Sequence, residues 1–248
     1  MSTPLVILTG ASRGLGRAVA GQLLARGCRM LTLSRQPAEI RPPAGSALEQ
    51  WAVDLADAGP VAARLESWLA SQDAASLASA TLINNAGVIS ELAPLGDVAS
   101  ADLANAVRVG LEAPMLLTAA FLRATAAWPV PRKVMLVSSG LGRRAMPGSA
   151  SYCAAKAGLD HLALAVALEE AARPNGARIV SLAPGVIDTD MQVQLRSADP
   201  ARFTERDRFA QLKSAGLLDS PDTAAGKLIA FLDRCDYGSQ PVADVRDA

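Results

Sequence analysis

Thr9-Gly10-Ala11-Ser12-Arg13-Gly14-Leu15-Gly16 follows directly on the apolar run Leu5-Val6-Ile7-Leu8. A short unbroken apolar run ending in a glycine-rich turn reads as a buried strand, a tight turn and the start of a helix. Glycine allows the sharp turn and lets backbone approach a bound pyrophosphate. The free N–H groups of a helix start carry the matching positive partial charge. The spacing of Gly10, Gly14 and Gly16 is G-x-x-x-G-x-G, with Ser12, Arg13 and Leu15 in the same turn. A glycine triplet alone decides little. Between a strand and a helix it predicts a dinucleotide site.

Outward from this turn the same rhythm repeats. Residues 5–9, 29–33, 49–53, 81–84, 133–138 and 178–182 read as strands, and a last short strand is expected near 240–243. Helical patterns lie at 14–25, 60–70, 101–126, 151–172 and 221–234. Alternating strands and helices predict βαβ units and an α/β, Rossmann-type doubly wound fold. Its sheet is expected to have seven strands and be mostly parallel, with helices on both faces. One domain spanning 1–248 is expected. Residues 37–47 carry three prolines and read as an exposed connection. Residues 188–220 are long and polar and read as a substrate lid. Its apolar side chains, Met191, Leu195, Phe203, Phe209 and Leu212, suit an aromatic or bulky substrate.

The end of the second strand reads Leu33-Ser34-Arg35. Dinucleotide proteins that prefer NAD place an acid near here to hold the ribose 2′-hydroxyl. Arg35 stands there instead. With Arg13 it can pair with a 2′-phosphate, so the expected cofactor is NADP(H).

Tyr152 and Lys156 are i and i+4 and share a helix face. A lysine charge and a cationic nicotinamide ring beside a phenol are expected to lower its pKa from about 10, so that it exchanges protons near neutrality. Ser139 ends the strand at 133–138. That is the carboxyl edge where open α/β sheets bind ligands, and its hydroxyl can hold a developing oxyanion.

Composition excludes several other classes. The 248 residues include 24 basic and 24 acidic side chains, for a formal net charge of zero. Nothing there favours nucleic acid or an anionic membrane. No apolar run reaches the roughly 20 residues of a membrane helix, and no signal peptide is expected. Cys28, Cys153 and Cys235 predict no disulfide framework and fit a cytoplasmic setting. The single histidine, His161, predicts no metal site.

These residues resemble the short-chain dehydrogenase/reductase family over nearly the whole chain. The matching pieces are residues 9–16, Asp54-Leu55, Asn84-Asn85-Ala86-Gly87, Ser139, Tyr152 with Lys156, and Pro184-Gly185-Val186-Ile187-Asp188-Thr189. The resemblance implies that Ser139, Tyr152 and Lys156 are catalytic. It implies that Asp54 and Leu55 border the adenine, and that Asn85, Ala86 and Gly87 pass under the ribose. Pro184, Gly185, Ile187 and Thr189 would contact the nicotinamide end and the phosphates. Tyr152-Cys153-Ala154-Ala155-Lys156, Asp188-Thr189-Asp190-Met191 and the tail 241–247 resemble the sepiapterin reductase and benzil reductase branch. That likeness implies a dicarbonyl substrate touching Met191 and Asp244, where Asp244 would take a pterin.

One departure stands out. The related pattern has an asparagine in the long helix where this chain has Gly110. A mid-helix glycine costs about 1 kcal/mol relative to alanine. It either keeps a bend with room for water or marks a weakened enzyme. The first reading is an NADPH-dependent carbonyl reductase for a small, vicinal dicarbonyl. The alternative is an NADP-binding sensor or scaffold with little turnover. Apolar stripes at 101–126 and 151–172 imply a homodimer, with a homotetramer as the other assembly.

Overall fold

In the computed structural model, which describes residues 2–247, seven strands form one parallel sheet in the order β3-β2-β1-β4-β5-β6-β7. They are β1 (Thr3–Thr9), β2 (Arg29–Ser34), β3 (Ala47–Ala52), β4 (Leu77–Asn84), β5 (Arg132–Val137), β6 (Arg178–Ala183) and β7 (Val242–Asp244). Every pairing is parallel, so the sheet has no antiparallel member. The strand expected at 49–53 begins two residues earlier, and the one expected at 240–243 begins two later.

Central strands bury both faces, which is why they read as continuous apolar runs. The edge strand β3 differs. Ala47, Glu49 and Ala52 are exposed, and Glu49 and Gln50 leave it a poor template for a further strand. Helices α1 (Gly14–Ala25) and α8 (Pro221–Leu232) cover one face, packing Val19, Leu23, Leu228 and Ile229 on Val6, Leu8 and Leu182. Helices α2 (Ala58–Ala70), α4 (Ala113–Thr125) and α5 (Ala150–Ala171) cover the other. There Leu65, Leu117, Phe121 and Leu159 meet Leu5, Ile7 and Leu136.

Two segments depart from expectation. The helix expected over 101–126 is three pieces: α3 (Ser100–Val107), a widened turn over Arg108–Glu112, and α4. In that turn the Ala113 N–H reaches back five residues to the Arg108 carbonyl, the signature of a π-bulge. The segment 188–220 is not a plain loop. It holds α6 (Asp190–Ser197) and α7 (Arg206–Ser214) over a third apolar cluster of Leu92, Met146, Leu195, Phe203 and Phe209. Among the described residues, no helix is long and apolar enough to cross a membrane.

Candidate active site

The strand order reverses between β1 and β4, and open sheets bind ligands at that point, off the carboxyl ends of the strands. A cleft of about 1350 Å³ lies there. It is lined by Gly10, Ser12, Arg13, Gly14, Leu15 and Gly16, and by Ser34, Arg35, Asp54, Leu55, Asn85, Ala86 and Gly87. Ser139, Tyr152, Lys156, Pro184, Gly185, Ile187, Thr189, Met191 and Asp244 line it too. The expected catalytic and cofactor residues, with Met191 and Asp244, therefore meet in one cavity.

The glycine turn is built for close approach. Gly10 has φ +71°, and a Cβ on Gly16 would lie 2.0 Å from the Gly10 carbonyl oxygen. Side chains are excluded at both positions, which leaves backbone to line the cradle. The turn is braced from outside. The Ser34 hydroxyl accepts from Ala11 N–H at 2.9 Å, and Asn85 Nδ2 donates to the Thr9 and Gly10 carbonyls at 3.0 and 3.1 Å. Ser34 and Asn85 thus hold the turn with the side chains expected to face the ligand. This backbone cradle at a helix start fits a dinucleotide.

Arg35 lies at the end of β2, exposed and with no ion pair among the described residues. Arg13 pairs with Asp190 at 2.8 Å, both of them largely exposed. Such a surface pair is weak and solvent-screened, so Arg13 can turn to another anion.

At the other end of the cleft, α5 presents Tyr152 and Lys156. Lys156 is buried and donates to the Val137 carbonyl at 2.7 Å, and its ammonium lies 5.5 Å from the centre of the Tyr152 ring. Ser139 leaves β5 in extended conformation, and its hydroxyl accepts from Leu141 N–H at 3.2 Å. Within the protein's own groups, burial works against the lowering expected from the lysine and a nicotinamide ring together. Burial pushes Tyr152 up to about 12, against a downward pull from the Ser139 hydroxyl. Burial also presses Lys156 down to about 8, with Asp160 holding against it. Desolvation penalises both charged forms, and here it outweighs the opposing pulls of Ser139 on the phenol and Asp160 on the ammonium.

Three further expectations change. Asp244 is buried, and Arg246 occupies both its oxygens, at 2.8 and 2.6 Å. That guanidinium holds the carboxyl below its usual range. Phe203 is fully buried under the α6–α7 segment and offers nothing to a substrate, whereas Met191, Leu195, Phe209 and Leu212 line the cleft. Gly110 sits at a close contact with α5. A Cβ there would meet the Ala155 Cβ at 3.1 Å, so the glycine lets the widened turn press against α5.

Sequence reasoning missed Asp160 and Arg143. Asp160 is i+4 from Lys156, so its face was legible; its partners come from other elements and were not.

A profile of the family described as short chain dehydrogenase matches residues 4–200. A benzil reductase ((S)-benzoin forming) of Bacillus cereus is 35% identical over 232 residues, covering 92% of this chain and 93% of that protein. A sepiapterin reductase of Rattus norvegicus is 32% identical, covering 97% and 95%. A crystal structure of a short-chain dehydrogenase/reductase from Burkholderia vietnamiensis superposes with a TM-score of 0.63 at 32% identity, covering 99% of each chain.

Proposed function

The chain belongs to the short-chain dehydrogenase/reductase family of oxidoreductases, whose members bind nicotinamide cofactors, and from that premise we propose that it is an NADPH-dependent reductase of small dicarbonyls. The observation that carries the reading is the convergence of Ser139, Tyr152 and Lys156 on the cleft that also holds the glycine turn. The bound nicotinamide would supply the hydride to the carbonyl carbon. The protein's own groups do the rest. A phenol held up at about 12 keeps its proton at neutral pH and so is ready to donate it to the carbonyl oxygen. The Ser139 hydroxyl orients that oxygen and shares its developing charge. Lys156, cationic below about pH 8, stabilises the phenolate left behind. Backbone of residues 12–16 would hold the pyrophosphate, with Ile187 and Thr189 closing on it. Asp54 and Leu55 would flank the adenine, Ala86 and Gly87 the ribose, and Pro184 and Gly185 the nicotinamide end.

Arg35 and Arg13 support NADPH over NADH, because a guanidinium pairs with a 2′-phosphate that NADH lacks. The α6–α7 segment would serve as the lid. Met191, Leu195, Phe209 and Leu212 give it an apolar inner side that suits an aryl dicarbonyl, the substrate class named for the Bacillus relative. The self-paired Asp244 favours aryl over pterin-linked substrates, since its carboxylate already receives a guanidinium. A sensor without turnover rested on Gly110, and packing against Ala155 accounts for that glycine without loss of chemistry.

Purified protein with NADPH, followed by loss of nicotinamide absorbance, tests the reading. Benzil should be reduced, and NADPH should be preferred over NADH at least tenfold, about 1.4 kcal/mol. Arg35→Asp should weaken NADPH and spare NADH. Equal efficiency with both cofactors would remove the NADPH assignment. Activity confined to simple aldehydes or sugars would remove the dicarbonyl one.

A further inference from the structure

Asp160 stands one helical turn beyond Lys156 on α5, so Tyr152, Lys156 and Asp160 follow one another along a single face. It is a carboxylate in the core, only 7% exposed. Its Oδ1 accepts from the Ser138 hydroxyl at 2.7 Å and from the Ser181 hydroxyl at 2.6 Å. Its Oδ2 accepts from Arg143 Nε at 3.1 Å, and Arg143 donates onward to the Ala243 carbonyl at 2.9 Å. Strand β6 and the segment after β5 thus converge on one acid, with β7 tied in through Arg143. The convergence is tight: a Cβ on Gly142 would come within 2.9 Å of both Asp160 Oδ2 and the Lys156 carbonyl oxygen. A buried ion pair adds little net stability, because desolvation offsets its attraction. Stability alone therefore does not account for this carboxylate.

Lys156 is 4% exposed, and among the described residues its ammonium has one hydrogen-bond acceptor, the Val137 carbonyl. One neutral acceptor is little support for a buried cation. We propose that Asp160 is a positioning residue that keeps the Lys156 side chain cationic and, through Ser138, fixes the strand end carrying Ser139. The proposal rests on the reading of Lys156 as part of a reductase site. Of the groups around Lys156, Tyr152 lies one turn before it on α5, and Arg143 reaches in from the turn after β5 and opposes the acid. Asp244 and Arg246, at the end of β7, are paired with each other. Asp160 is the acid that holds Lys156 up against burial.

The chain has only four lysines, Lys133, Lys156, Lys213 and Lys227, so ¹³C-labelled lysine gives a simple spectrum. Lys156→Met identifies the signal. In the cofactor-free protein, Asp160→Asn should lower the Lys156 titration midpoint by about one pH unit, a tenfold loss of proton affinity. Arg143→Gln removes the opposing cation and should not lower it. Should Asp160→Asn fail to fold, Asp160→Asn/Arg143→Gln removes both charges together, leaves no orphaned ion, and should still lower the midpoint. An unchanged midpoint in both acid-lacking proteins overturns the proposal, as does an equal fall in Arg143→Gln alone. In turnover, the alkaline limb of kcat/KM for NADPH should move with the midpoint. A limb that stays while the midpoint moves overturns the role of Lys156 in the proposed reaction and leaves its coupling to Asp160 standing.

Discussion

Tyr152 is half-buried against the cleft, beside a buried ammonium and a serine hydroxyl, and only its phenol oxygen can pass a proton. Tyr152→Phe keeps the ring and removes that proton. Turnover should fall by a factor of roughly 10² to 10⁴, the range of general acid–base groups, with the KM for NADPH little changed. Retention of more than about a third of the turnover, where chemistry limits the rate, would assign the proton to another group. Asp244 and Arg246 give the second residue-scale prediction. The guanidinium fills the carboxylate with two bonds, and it lies about 4.0 Å from where a Gly140 side chain would start, next to Ser139. Arg246→Ala should free the acid to accept paired N–H bonds from a pterin edge. The KM for sepiapterin should then fall at least tenfold and that for benzil change less than about threefold. An equal change in both would show that Asp244 does not read the substrate.

The widened turn at Arg108–Glu112 sets how the α3–α4 layer meets α5. Gly110→Ala should gain up to about 1 kcal/mol of helix propensity. Against that, the added methyl meets Ala155 at 3.1 Å, and overpacking of this kind costs about 1–3 kcal/mol. The methyl it meets is fixed to the backbone of α5, between Tyr152 and Lys156, so relief means moving that helix. Net destabilisation should lower Tm by a few degrees, at about 2–4 °C per kcal/mol for a chain of this size. Turnover should fall with it. Higher Tm with unchanged turnover would mean that the contact relaxes freely. The sequence showed the strands because burial on both faces leaves them apolar throughout, and it showed the Tyr152–Lys156 pair because helical spacing is local. It offered a bend at Gly110 but not the form of the widened turn there, whose contact with Ala155 of α5 comes from far along the chain. Nor did it show α6 and α7. They are short and polar, burying little more than Gln192, Leu195 and Phe209, and they hold their place by docking on Phe203. The Asp160 network escaped for the same reason: Lys156 is local, and the hydrogen-bond partners Ser138, Arg143 and Ser181 arrive from β6 and the segment after β5.

At the scale of the whole molecule, the sheet is covered on both faces, yet the helical layer of α3, α4 and α5 keeps apolar side chains on its outer surface. Val107 and Met115 are 39% and 44% exposed, and Leu164 and Leu168 are 43% and 77% exposed. Leu164 and Leu168 are i and i+4 and so share one face of α5. Scattered apolar side chains need no explanation, but a set on adjoining helices marks a surface that a second copy can cover. A homodimer through this layer is therefore expected, with a homotetramer if a second face also pairs. Leu168 makes the sharpest test, because at its exposure it contributes little to the fold of one chain. Leu168→Asp should leave the monomer's stability within about 0.5 kcal/mol. In a paired face the same change buries an unpaired charge, which costs several kcal/mol. Light scattering should give the unmodified protein twice, or four times, the 25.6 kDa chain mass, and the variant a smaller assembly with the same circular dichroism. A monomeric unmodified protein, or a variant whose assembly is unchanged, would show that these leucines face only water.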